Sequence, residues 1–170
     1  KKPFNNLKDI SKWASGLGYK AVQIPTWDTR IFDLDKAGSS KDYCDEVKGI
    51  LNEQGLEISE LSTHLQGQLV ASHPAYDLMF DVFAPENFHG DVKGRTKWAV
   101  DQMIKAINAS NFLGIKPMAS FSGSLLFHTF YPWPQRPSGL VEEGFKELSK
   151  RWMPILNHAD KKGVDICYEI

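Results

Sequence analysis

Three stretches carry residues whose types could do chemistry. The chain ends "KKGVDICYEI", which sets a carboxylate, Glu169, next to the last residue. "STHLQGQ" (62–68) holds His64 and Gln66 two positions apart. "FSGSLLFHTFYPWPQRP" (121–137) gathers Phe, Tyr, Trp, His, Gln and Arg among prolines. A carboxylate at a strand tip can take up and return a proton. Aromatic faces pack on apolar C–H surfaces while polar tips answer hydroxyls or a phosphate, so the third stretch suits the cradling of a sugar. Its ligand candidates are His128, Trp133, Gln135 and Arg136, whereas Tyr131 and Pro132 suit hydrophobic stapling of the loop. No H-E-x-x-H, paired C-x-x-C, P-loop or G-x-S-x-G occurs, which argues against serine-nucleophile chemistry and a closed zinc site.

The elements that must position these residues are marked by a junction that recurs four times. It reads "LGYKAVQIP" (17–25), "QGLEISELS" (54–62), "LGIKPMASF" (113–121) and "KGVDICYEI" (162–170). Each Gly suits the left-handed residue that ends a helix, and each leads into a strand-like run. Helical spacing precedes each one: Leu7, Ile10, Ala14 and Leu17; Val47, Ile50 and Leu51; Val100, Met103, Ile104 and Ile107; Phe145, Leu148, Trp152, Ile155 and Ala159. Pro154 should kink or restart the last helix. "SSKD" (39–42) reads as a capping box for the second.

Helix, short turn, strand and long loop in repetition predict a parallel sheet with right-handed crossovers. An open doubly wound sheet and a (β/α)8 barrel both satisfy the pattern. No G-x-G-x-x-G follows a strand, and the loops leaving the strands are far longer than those entering them, as on the active face of a barrel. The expected fold is therefore α/β, a partial (β/α)8 TIM barrel. Its four strands read as the second to fifth of eight, and residues 1–170 as a single incomplete domain from the N-terminal half of a longer chain.

Alternation across strands assigns the faces. Val164, Ile166 and Tyr168 should lie under helices. Asp165, Cys167 and Glu169 should point into the barrel, with Glu169 at its top. A glutamate there is a catalytic candidate, or else a solvated loop residue or the partner of a structural lysine. Cys167 is expected to be a small buried core residue. In the first visible strand Val22 and Ile24 face helices, and Ala21 and Gln23 face inward, leading to Trp27, Asp28 and Arg30. Glu57 and Glu60 fall on opposite faces by simple alternation, so the sidedness of the next strand stays open. His64 and Gln66 are placed at the rim. His158 is expected on a helix surface, and His73 and His89 in turns of a long loop spanning 65–92.

The totals bound the partners. The chain has 170 residues, 42% hydrophobic and 24% charged, enough for a sizeable core. A formal net charge of -1 gives no electrostatic footprint for nucleic acid. Two cysteines make no disulfide framework, which points to the cytoplasm. No apolar run approaches the roughly 20 residues of a membrane span, and "KKPFNNLKD" has no signal-peptide core. Four parallel strands without closure would expose two edges, so these residues expressed alone are expected to be poorly soluble or to associate.

At "STHLQGQ", "FSGS", "YPWPQRP" and "CYEI" the sequence resembles the sugar phosphate isomerase/epimerase family, the xylose isomerase-like TIM barrels, over the whole chain. The resemblance implies a divalent metal (Mn, Mg, Co or Zn) held by Glu, Asp, His and Glu at the ends of the fifth to eighth strands. Glu169 matches the first ligand and inherits a dual role as ligand and acid/base; the other three would lie beyond residue 170. Implied chemistry is proton transfer next to a carbonyl through an enediolate, with His64 and the aromatic loop as substrate contacts; Trp27 and Gln66 are substrate-binding candidates from their places beyond strand ends. Alternatives that share the barrel are a keto-sugar lyase or hydratase, a non-catalytic sugar-binding barrel, and apurinic endonucleases. The near-neutral charge and sparse rim histidines argue against the last.

Overall fold

The computed structural model describes residues 2–73, 77–126 and 137–169. The loop candidates His128, Trp133, Gln135 and Arg136, with Tyr131 and Pro132, lie outside the described residues. The order of elements is α1 (Leu7–Gly16), β1 (Ala21–Pro25), α2 (Leu34–Ala37), α3 (Lys41–Asn52), β2 (Glu57–Ser62), α4 (His64–Val70), α5 (Asp77–Phe80), α6 (Val92–Leu113), β3 (Pro117–Ser120), α7 (Leu140–Lys162) and β4 (Asp165–Tyr168). Two 3-10 turns, Asp81–Phe83 and Glu86–Phe88, lead into α6. The four strands form one parallel sheet in chain order, β1-β2-β3-β4, the arrangement that repeated right-handed βα units produce.

All four junction glycines do what the repeat requires. Gly18, Gly55, Gly114 and Gly163 have φ of 88°, 68°, 74° and 68°, a region that side chains with a Cβ rarely occupy. At Gly114 and Gly163 the cap N–H returns to the last helical turn, and the chain is turned straight into a strand. The helix starts are less regular. Ser40 alone caps α3, its hydroxyl accepting from Tyr43 N, while Ser39 bonds back to the carbonyls of Asp35 and Lys36, so "SSKD" is a single cap and not a reciprocal box. α7 runs unbroken through Pro154 and does not restart there. The long segment after β2 is largely helical in short pieces, not an open loop.

The core lies between the sheet and the helices on one side of it. Ile24, Leu61 and Met118, from three adjacent strands, are 2%, 0% and 0% exposed and meet Leu51, Met103, Ile107 and Ile155 from α3, α6 and α7. Burying each such side chain contributes about 1.5–3 kcal/mol, which makes this layer the main stabilising interface. Facing residues on β4 follow the alternation: Val164 is buried, Ile166 packs on the core, and the Tyr168 ring meets Trp152 of α7 edge-on at 5.2 Å. Cys167 is exposed, contrary to the expectation of burial, because the opposite face of the sheet is uncovered in the described structure.

The sidedness of β2 is settled by an irregularity. Val22 pairs with Ile58, but Gln23 pairs with Glu60, so Ser59 is skipped by a register shift. An extra residue restores the phase. Glu57 sits beside Ala21 and Glu60 beside Gln23, and Gln23 Nε2 donates to Glu60 Oε1 at 2.8 Å across the inner face. Among the described residues no helix is long and apolar enough to cross a membrane.

Candidate functional site

The upper ends of the strands are tied to one another, and the ties fix the residues just beyond them. Thr26 sends its backbone N–H and its hydroxyl to the Ser62 carbonyl at 3.0 and 2.8 Å. Thr63 does the same to Ala119 O at 2.8 and 3.0 Å. The Glu169 N–H donates to Ser120 O at 3.0 Å, extending the β3–β4 ladder by one step. Each tie holds the next residue or two beyond a strand. The result is a row across the sheet top: Trp27 after β1, His64 after β2, Phe121 after β3 and Glu169 after β4.

His64 is the centre of this row. Its Nε2 lies 2.8 Å from Glu169 Oε2, and its Nδ1 lies 2.5 Å from Ser62 Oγ. Trp27 and Phe121 meet the imidazole edge-on, with ring centroids at 6.4 and 4.6 Å. The imidazole is 13% exposed, whereas the Glu169 side chain is 65% exposed. One neutral tautomer of the imidazole satisfies both polar contacts. Nε2–H donates to the carboxylate, and Nδ1 accepts from the Ser62 hydroxyl, itself on a residue only 1% exposed. His64 thus joins a buried hydroxyl to an accessible carboxylate, and its ring is held by two aromatic edges. The arrangement leaves the Glu169 carboxylate accessible while His64 stays mostly covered.

α4 begins at His64, and this divides the two candidates in "STHLQGQ". Residues two apart on a helix do not face each other. Gln66 is accordingly buried, 1% exposed, and lines a cavity next to Trp27 instead of the rim. Asp28 and Arg30 pair with each other in a two-bond contact, the guanidinium holding the Asp28 carboxyl below its usual range. His89 Nε2 donates to Ala84 O at 3.2 Å, a turn-bracing role. His158 is more than a surface residue: its Nε2 meets Asn108 Oδ1 at 2.9 Å and links α7 to α6.

The structure thus brings Glu169, His64 and Trp27 together and sets Gln66 apart. Ser62 and Phe121 complete the site without having been singled out. The signal for Ser62 was its place two residues before His64 at a strand end; for Phe121 it was the strand-terminal position that Glu169 shares.

A divalent ion of the kind the resemblance implies needs several converging oxygen or nitrogen donors. Among the described residues no three His, Cys, Asp or Glu side chains converge. The two that approach, Glu169 and His64, are bonded to each other. The described residues alone do not fit such an ion.

Comparisons agree with this geometry at the level of fold. The family profile described as xylose isomerase-like TIM barrel matches residues 11–170. A xylose isomerase domain protein from Planctomyces limnophilus superposes with a TM-score of 0.58 at 13% identity, over 94% of this chain and 48% of that one. A xylose isomerase-like TIM barrel protein from Mycobacterium smegmatis, solved in complex with magnesium, gives 0.57 at 14% identity, over 96% and 46%. D-psicose 3-epimerase from Clostridium cellulolyticum H10, solved with D-tagatose, gives 0.51 at 12% identity, over 98% and 49%. The chain therefore spans about half the length of the solved structures it matches. Comparison with curated proteins by sequence finds no match.

Proposed function

The chain belongs to the xylose isomerase-like TIM barrel family, and from that premise we propose that its protein is a sugar isomerase or epimerase in which Glu169 is the acid/base. The observation that carries this reading is the 2.8 Å bond between Glu169 and His64, which reaches across the end of β3 within the strand-end row. Likeness in fold to an epimerase solved with D-tagatose supports the substrate class.

The chemistry asked of the site is small. The exposed oxygen side of Glu169 takes a proton from the carbon next to a sugar carbonyl, leaving an enediolate. Returned to the neighbouring carbon, while the hydroxyl proton passes between the two oxygens, the proton gives an isomer; an epimer needs a proton delivered to the opposite face by a second group outside the described residues. His64 holds the carboxylate by donating Nε2–H, which limits its freedom between the two transfers. The Ser62 hydroxyl can donate to Nδ1 and so supports the tautomer that does this. Trp27 and Phe121 keep water from the ring. A divalent cation would take Glu169 as one donor and need others from outside the described residues, so no step here is routed through one.

The test is proton exchange in the full protein. Ketoses, their phosphates and keto-glycosides are incubated in D2O with added Mn or Mg, and NMR follows deuterium entering next to the carbonyl. Glu169→Gln should lower exchange by about 10²–10⁴-fold. Unchanged exchange in that variant would sink the assignment. Sugar binding with no exchange on any substrate would favour a non-catalytic sugar-binding barrel.

A further inference from the structure

Beside the site lies a cavity of about 430 Å3. Trp27 lines it and also meets the His64 ring edge-on, so one residue borders both. Its volume falls in the roughly 300–1,000 Å3 span of small-molecule pockets. The segment after β1, the start of α4, the 3-10 turns and α6 build its walls. We propose that this cavity holds an uncharged, non-reacting ring of the substrate, so that the protein acts on a neutral sugar carrying a second ring and not on a sugar phosphate. This rests on reading the His64–Glu169 pair as the reacting centre.

Three observations point to that class. Among the described lining residues there is no Lys or Arg, so the described walls themselves offer a phosphate no cation. The two carboxylates in the lining, Asp33 and Asp35, are already engaged by Lys36 at 3.3 Å and Lys105 at 2.9 Å. The field facing the cavity is thus neutralised, while the spare carboxylate lone pairs can accept hydroxyl protons. A dianion placed there would meet carboxylates whose lysines are already committed to them, and two tryptophans, Trp27 and Trp98, but no cation in the described lining.

The apolar part of the lining is equally specific. Trp27 and Val82 stay 43% and 74% exposed at residues that line the cavity, large apolar surfaces left to water. A saccharide ring has an apolar C–H face to cover an indole and hydroxyl edges for Asp33 and Gln102, so one ligand satisfies both kinds of wall. A purely apolar ligand would leave the carboxylates facing it without hydrogen-bond donors.

The experiment compares two derivatives of one ketose in the full protein. Isomaltulose carries a neutral glucosyl ring on the 6-oxygen of fructose, where fructose 6-phosphate carries a dianion. Tryptophan fluorescence and saturation-transfer NMR measure binding of each, with D-fructose as the reference. Isomaltulose should bind at least about fivefold more tightly than fructose 6-phosphate, the scale of one aromatic packing contact. Filling the cavity with Ala84→Trp should weaken isomaltulose at least about fivefold more than D-fructose. Gln102→Leu, which removes one polar contact without adding bulk, should do the same in smaller measure. Tighter binding of fructose 6-phosphate, or equal loss for isomaltulose and fructose in both variants, would overturn the proposal. Isomaltulose binding that obeys these ratios with no proton exchange leaves the cavity assignment standing while the activity fails.

Discussion

Cys44 and Cys167 are the same side chain in opposite surroundings, and the difference is chemical. Cys44 is 0% exposed, donates weakly to Ala37 O at 3.4 Å, and burial pushes its thiol up to about 11. At pH 8 it stays protonated, and the thiolate is the nucleophile. Cys167 lies on the open inner face of β4, two residues before Glu169. Iodoacetamide at pH 8 should therefore label Cys167 in preference to Cys44 in the dispersed, folded chain, as mass spectrometry of the digest would show. Cys167→Ser should abolish the labelling; rapid modification of Cys44 in the folded state would contradict its placement. The same face carries the Glu169 carboxylate, so a label at Cys167 would also report on access to the site.

α4 positions His64, and the device that lets it is Gly67. A Cβ at Gly67 would fall inside the contact radius of Ser120 Oγ and the Phe121 carbonyl. Ala is the better helix former by about 1 kcal/mol, but here the obstruction includes backbone and cannot swing away. Overpacking typically costs about 1–3 kcal/mol, so the clash should win. Gly67→Ala should lower the melting temperature seen by circular dichroism. It should also weaken the His64–Glu169 contact, because α4 must move off the end of β3. An unchanged or higher melting temperature would mean that the helix end shifts freely, and the close seating would lose its meaning. A second device closes the base of the segment between α5 and α6: buried Arg95 pairs with Asp81, whose other oxygen accepts from Gly90 N at 2.9 Å.

At the scale of the whole molecule, the described helices cover one face of the sheet, and among the described residues the other face is open. Gln23, Glu57, Asp165 and Cys167 are all exposed along the open face. Among the described residues β1 and β4 each have a neighbour on one side only. Open strand edges pair with other chains, and an uncovered sheet face invites association. Expressed as these 170 residues alone, the protein should associate or precipitate, and light scattering after size exclusion would show masses above the monomer's 19.2 kDa. A monodisperse monomer that melts cooperatively would show that the edges are protected in a way the described residues do not reveal.

How much of this was legible in advance depends on how local each cause is. The four Gly-strand junctions determined the βα repeat, because a left-handed helix end followed by an apolar run is a property of a few adjacent residues. Period-two alternation determined that Glu169 would share a face with Asp165 and Cys167, opposite Val164 and Ile166. The register shift at Ser59 was not legible, since a skipped residue exists only relative to the partner strand. Neither was the parting of His64 from Gln66, which comes from a helix that starts at His64 because Gly67 can sit against Ser120. Nor was the bond between His64 and Glu169, which are 105 residues apart. The sequence by itself determined which residues could carry chemistry and which face each would take. Only the tertiary structure decided which of them meet, because meeting is set by register and strand-end ties between segments far apart in the chain.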